Sequence, residues 1–271
     1  MTKPFGSRPS EPIFNVPPVV IATVAVLVGV HLLRMFALSA RQDDQFVMTF
    51  AFIPARYSMN PAVAGSFPGG FGADLWTFFT YAFLHADLMH IGLNLAWLIP
   101  FGTAIARRFG AWRYVAFMLI TAAAGALAQF ISDPQAAVPM IGASAAISGA
   151  MAAALRFVFQ ENGPLETWRD GAGDGAAYRV PALSLLATLR DPRFLLFLAV
   201  WMGLNALFGL GGVSFGVEPG QQLAWQAHIG GFLAGLVLFT AFDPAVPQAE
   251  LDGEPSVIQP SPRPPITTPP H

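Results

Sequence analysis

The sequence predicts an all-α membrane protein, a bundle of six transmembrane helices with both termini in the cytoplasm. Three observations lead there. Of the 271 residues, 54% are hydrophobic and only 11% are charged, and the mean hydropathy is +0.54; a soluble globular chain carries about a quarter charged residues. Six apolar stretches approach the ~20 residues that a bilayer-crossing helix needs. Finally, the basic residues cluster on alternate sides of those stretches.

The elements follow in order. A polar, proline-bearing segment (1–16) is expected in the cytoplasm. The first span runs from about Pro17 to Leu38, and the others lie near Leu84–Ile105, Trp112–Ile131, Ile141–Phe159, Phe194–Leu210 and Leu223–Ala241. Residues 17–243 therefore form the membrane domain. Residues 244–271 form a Pro-, Ser- and Thr-rich tail, expected to be disordered and cytoplasmic. Lys3 and Arg8 precede span one, Arg107, Arg108 and Arg113 separate spans two and three, and Arg156, Arg169, Arg179, Arg190 and Arg193 separate spans four and five; Arg263 is in the tail. Only Arg34, Arg41 and Arg56 fall on the opposite side, so the positive-inside rule sets the orientation. Ala37-Leu38-Ser39 resembles a signal-peptide cleavage site, but the apolar run is longer than a signal h-region and Arg34 interrupts the approach. The first span is therefore read as retained.

Three loops stand out. The outer loop from Arg41 to about Trp76 is rich in Phe, Pro and Gly, carries Asp43, Asp44 and Asp74, and is expected in the membrane interface. The inner loop from Gln160 to Arg193 mixes both charge signs with glycines and reads as solvated. The glycine-bearing loop from Gly211 to Gln222, with Phe215, is a candidate gate over the outer face.

Composition removes some chemistries. Cysteine is absent, which excludes disulfides, a thiolate nucleophile and cysteine-ligated metal. The net charge of -2 gives no reason to expect a nucleic-acid partner. His85-x4-His90-x3-Asn94 has no carboxylate or thiolate companions suited to a metal site, so neither metal nor cofactor is expected.

What remains is a set of polar side chains inside apolar spans, where such groups are costly and mark candidate sites. His90 and Asn94 fall early in span two, Ser144 at the start of span four and His228 near the start of span six. In the predicted topology these spans run the same way, so the groups sit at one depth in the outer leaflet, about 10 Å below the surface at 1.5 Å per residue. His90 and Asn94 share a helix face and suit an oxyanion. Ser144 begins a helix, whose free N–H groups add donors. A serine hydroxyl needs a base to become a nucleophile, and His228 is the candidate. Gly231 and Gly235 lie on the face of His228, and span four offers Ser144, Ala145, Ser148, Gly149 and Ala152, so the two helices can approach closely.

Blander roles stand beside these. Ser144 and Ser148 suit helix packing, and His228, His90 and Asn94 could serve as interhelical hydrogen-bond glue. His85 is expected at the membrane edge with a structural or hydration role, Asp87 as a helix cap, and His31 and His271 have no evident partner. Ser148 lies a turn deeper than Ser144, without helix-terminal donors.

These residues resemble the rhomboid family of intramembrane serine proteases. The run from Trp76 through His85, Asp87 and His90 to Asn94 is similar to the family's second-helix signature. Gly142-Ala143-Ser144-Ala145-Ala146-Ile147-Ser148-Gly149 resembles its nucleophile motif, and Ala227-His228-Ile229-Gly230-Gly231 with Gly235 its sixth-helix histidine motif. Phe101-Gly102 through Arg107-Arg108-Phe109-Gly110-Ala111-Trp112-Arg113 resembles the second inner loop. The resemblance implies a rhomboid-type bundle and a Ser144–His228 dyad, with an oxyanion site from His90, Asn94 and the Ser144 amide and with His85 nearby. It implies cleavage of transmembrane protein substrates near the bilayer surface, without metal or cofactor. A bacterial inner membrane is the expected location.

The chain departs from the family pattern at four positions. Ala145 stands where glycine usually follows the nucleophile, and its methyl is expected to crowd span six. Ser148 replaces an aromatic that supports the histidine ring; its hydroxyl is expected to bond either His228 or its own helix. Ala106 replaces a glutamate, and Thr77 an arginine that anchors the outer loop. Ala145 and Ser148 support the alternative of a catalytically inactive rhomboid-like protein that binds membrane segments. A histidine proton-relay transporter is a third reading; it calls for broken helices or repeat symmetry, and the sequence displays neither.

Overall fold

The computed structural model describes residues 15–169, 175–209 and 224–244. Eleven α-helices lie within these: α1 Pro18–Ala37, α2 Ala40–Phe50, α3 Pro61–Ala64, α4 Gly70–Thr80, α5 Leu88–Phe109, α6 Ala111–Ser132, α7 Ser144–Ala154, α8 Pro164–Arg169, α9 Leu185–Thr188, α10 Pro192–Gly209 and α11 Trp225–Phe242. Among the described residues there is no strand, only an isolated antiparallel bridge between Phe52 and Met140. Helices α1, α5, α6 and α11 are long and apolar enough to cross a membrane; α7 and the apolar Pro192–Leu207 stretch of α10 are shorter. The gate proposed over 211–222, the segment 1–14 and the tail from 245 lie outside the described residues.

Helix α7 is the centre of the bundle. Every residue from Ala145 to Ala154 is buried, enclosed by α5, α6 and α11. Small side chains make this possible. A Cβ placed on Gly231 would overlap the Ala145 carbonyl oxygen, and one on Gly235 would overlap the Gly149 carbonyl oxygen. The α7–α11 contact is thus backbone against backbone, as the small-residue faces predict. Ala145 differs from expectation. Its methyl points to α6, where a Cβ on Gly125 would lie only 2.5 Å from it, so the missing side chain of Gly125 provides its space.

Local chemistry sets the helix ends. Span two starts at Leu88 rather than Leu84, because residues 81–83 form a 3₁₀ turn and Asp87 caps the helix, accepting from the His90 N–H at 2.8 Å. Span four is much shorter than Ile141–Phe159. Gly142, at φ 118°, cannot be helical, and the chain leaves the helix at Leu155 so that the Arg156 guanidinium can donate to the Leu183 carbonyl (3.0 and 2.7 Å) and Thr240 Oγ1 (3.0 Å). Asp191 opens α10, and the Arg193 guanidinium hydrogen-bonded to it holds its carboxyl below the usual carboxylate range.

At this end of the bundle the loop from Gln160 to Arg193 is not simply solvated. Arg108, 5% exposed, forms a two-pronged ion pair with Asp243 (2.8 Å each) and donates to the carbonyls of Tyr178 (3.0 Å) and Val180 (2.9 Å). The two arginines draw the loop onto the bundle because their donors, buried beside aromatic rings, need acceptors. Asp243 supplies the carboxylate that meets Arg108.

The opposite end carries the loop before α5. Arg34 in α1 pairs with Asp43 of α2 at 2.7 Å and donates to the His85 carbonyl at 2.8 Å. Arg56, 4% exposed, donates to the carbonyls of Met48 and Pro68, both at 2.7 Å. It ties the loop together from within, and the Thr77 hydroxyl bonds the Ala73 carbonyl and Tyr57.

Candidate active site

The polar residues singled out from the sequence converge at this second end. The Gly142-Ala143 turn delivers Ser144 as the first residue of α7, and the close α7–α11 approach brings α11 to it. His228 Nε2 lies 2.7 Å from Ser144 Oγ. On its other side, His228 Nδ1 lies 2.7 Å from Asn205 Oδ1 of α10. The ring is buried at 9% exposure, while Ser144 is half-buried.

His90 flanks the same turn. A Cβ on Gly142 would lie 2.7 Å from His90 Nε2 and 3.7 Å from Ser144 Oγ, so one point in space adjoins both atoms. Glycine is needed at 142 twice over, for its positive φ and for this approach. The His90 tautomer follows from its other nitrogen: Nδ1 accepts from the Ala86 N–H at 3.3 Å, leaving Nε2 to carry the proton toward the turn. Asn94 is 5% exposed; its Nδ2 donates to the His90 carbonyl at 2.9 Å and has a second proton available.

Ser144, His228, His90 and Asn94 line one cavity of about 240 Å³, walled by apolar side chains of α5 and α10, among them Trp97 and Trp201. Trp201 stacks on Phe232, one turn below His228, with ring centroids 4.6 Å apart. Ser148 also borders the cavity, but its hydroxyl donates to the Ser144 carbonyl at 2.7 Å, within its own helix. Of its two expected partners it takes the backbone. His85 is fully buried and meets His90 edge-on, with centroids 5.1 Å apart. It packs behind the site rather than lining the cavity. His31 is buried in α1, with neither ring nitrogen hydrogen-bonded among the described residues. No group of three His, Cys, Asp or Glu side chains suited to a metal ion occurs among the described residues.

Asn205 is the residue that sequence reasoning missed. An amide in an apolar stretch is itself a signal, but Asn205 lies near the end of span five, where polar residues are ordinary.

A buried imidazole between a serine hydroxyl and an amide, at a helix N-terminus inside an apolar bundle, defines a helical membrane protein with a buried polar site. The chain belongs to the rhomboid family: the family profile described as Rhomboid domain matches residues 72–243. It is similar to the Rhomboid protease GlpG of Klebsiella pneumoniae, 27% identical over 165 residues that cover 61% of this chain and 48% of that protein. It is also similar to the Rhomboid protease GluP of Bacillus subtilis, 34% identical over 80 residues that cover 30% of this chain and 15% of that protein. The match thus spans at most about half the length of either relative. Family and apolar helices together make the chain an integral membrane protein of a protease family.

Proposed function

We propose that the chain is an intramembrane serine endopeptidase that cleaves transmembrane protein substrates near the outer membrane face. The observation that carries this reading is the 2.7 Å contact between Ser144 Oγ and His228 Nε2 at the start of α7. In the proposed reaction Ser144 Oγ attacks the substrate carbonyl carbon and His228 Nε2 takes the hydroxyl proton. The resulting oxyanion accepts hydrogen bonds from His90 Nε2–H, Asn94 Nδ2–H and the Ser144 backbone N–H, each worth about 3 kcal/mol in such sites. His228 then gives the proton to the leaving amine, the peptide C–N bond breaks, and water repeats the sequence on the acyl-enzyme.

The topology that accompanies this reading has six spans, with α7 and α10 as the short fourth and fifth, and both termini in the cytoplasm. The arginines at the end of the bundle away from Ser144 support it. Substrate gains access laterally, by α10 moving relative to α5; the cavity between the two helices supports that route. The bacterial relatives support a bacterial inner membrane.

The alternative, an inactive rhomboid-like binder of membrane segments, rested on Ala145 and Ser148. The contact between Ser144 and His228 and the space that Gly125 leaves for the Ala145 methyl weigh against it. In purified protein, Ser144→Ala should abolish cleavage of a transmembrane reporter; cleavage that survives the substitution overturns the assignment.

A further inference from the structure

Asn205 stands on the face of α10 that meets α11, and it touches the proposed base on the side away from Ser144. Which end of its amide faces the imidazole follows from its second contact. The Asn205 Nδ2 group donates to the Trp201 carbonyl at 2.8 Å, and a backbone carbonyl can only accept. A flipped amide would set two acceptors against each other. The oxygen therefore faces His228, at 2.7 Å from Nδ1. An amide oxygen is likewise only an acceptor, so Nδ1 must carry the hydrogen. In the neutral imidazole Nε2 is then bare, and Nε2 is the nitrogen 2.7 Å from Ser144 Oγ.

We infer that Asn205 is the positioning residue of His228: its carbonyl oxygen fixes the tautomer with a proton-accepting Nε2 and holds the ring toward Ser144. The inference rests on the reading of Ser144 and His228 as the reacting pair and adds a residue on a third helix to it. One backbone carbonyl, that of Trp201, sets the direction of the whole chain of hydrogen bonds through Asn205 and His228 to Ser144. The contact is protected, since Asn205 and His228 are 6% and 9% exposed. It is also held in register. Trp201 and Asn205 lie one helical turn apart on α10, and Phe232 and His228 one turn apart on α11. The Trp201–Phe232 stack at 4.6 Å thus aligns the two helices one turn below the hydrogen bond. Ser148 does not take this role: its hydroxyl donates to the Ser144 carbonyl, and the two ring nitrogens of His228 are met by Asn205 and Ser144. When the imidazolium forms, the amide dipole stabilises Nδ1–H without burying a second charge.

Asn205→Leu keeps the branched skeleton and removes the acceptor, while Asn205→Asp keeps an acceptor. The test is steady-state cleavage of a transmembrane reporter by full-length protein in detergent, with Ser144→Ala as reference and thermal unfolding of each variant alongside. Asn205→Leu should lower kcat by about ten- to a hundredfold, part of what general-base catalysis contributes, with KM within about twofold. Asn205→Asp should restore kcat at least about tenfold over Asn205→Leu, because a carboxylate can accept from Nδ1–H. Equal loss in both folded variants, wild-type kcat in both, or an effect on KM alone overturns the inference. The unmodified protein gives a second measurement. Nitrogen-15 spectra of histidine-labelled protein, with the His228 signal assigned by its loss in His228→Gln, should show the Nδ1–H tautomer; the Nε2–H tautomer overturns the inference. If Ser144→Ala still cleaves, the reacting pair itself is misassigned. If Ser144→Ala is dead while the Asn205 variants match wild type, only the role of Asn205 falls.

Discussion

The α-carbon of Gly235 rests directly against the backbone of Gly149, with no side chain between α11 and α7 at that level. One turn away, Gly231 meets the Ala145 carbonyl in the same manner. These two contacts set how near His228 stands to Ser144, so the site's geometry is a packing property before it is a chemical one.

Gly235→Ala should therefore act on both stability and activity. The added methyl forces the helices apart, and overpacking of this kind costs about 1–3 kcal/mol. Thermal unfolding in detergent should fall, and cleavage by the folded fraction should fall with it as Ser144 and His228 separate. Unchanged activity per folded molecule would mean that the site tolerates a wider helix spacing.

Gly125 and Ala145 form a second packing pair, across α6 and α7. Gly125→Ala should destabilise the fold, since the new methyl would lie 2.5 Å from that of Ala145. Adding Ala145→Gly should recover part of the loss but not all, because the same methyl also approaches the Ala227 carbonyl at 2.8 Å. A double-mutant cycle on thermal stability measures the coupling, expected at about 0.5–3 kcal/mol.

Ser148→Ala should be close to silent. The substitution removes a hydroxyl whose partner is the Ser144 carbonyl of its own helix, at 2.7 Å. A net hydrogen bond of that kind contributes about 0.5–1.5 kcal/mol, and cleavage should stay within about twofold of wild type. A dead, folded Ser148→Ala enzyme would show that the Ser148 hydroxyl itself is needed for cleavage.

At the other end of the bundle, Arg108→Met should leave four acceptors without their donors: two Asp243 oxygens and the carbonyls of Tyr178 and Val180. Breaking a buried ion pair from one side costs about 3–5 kcal/mol; the Asp243 side chain is 19% exposed, which favours the lower end of that range. Thermal unfolding is the measurement. The folded fraction should retain its kcat, because this pair lies away from Ser144.

How much was legible in the sequence varies with the physics behind each element. The long apolar spans were readable because length and hydropathy alone select them, and their ends shifted only where a cap such as Asp87 intervened. Span four was overextended, because an apolar run from Ile141 to Phe159 gives no hint that Arg156 must reach the Leu183 carbonyl. Ser144 and His228 were legible as costly polar groups in apolar surroundings. Pairings across the chain were not: Arg108 with Asp243 is 135 positions apart, and Asn205 with His228 depends on how α10 docks. The pairing of Ala145 with Gly125 was hidden for a related reason, since Gly125 lies on a helix whose rotation the sequence does not state.

The most direct measurement of the central claim is reaction of the purified, folded protein with a fluorophosphonate, followed by peptide mass spectrometry to locate the adduct. A single adduct on Ser144, lost in His228→Ala, is the predicted result. Absence of label from protein whose cavity admits the probe, or an adduct on another serine, would contradict it.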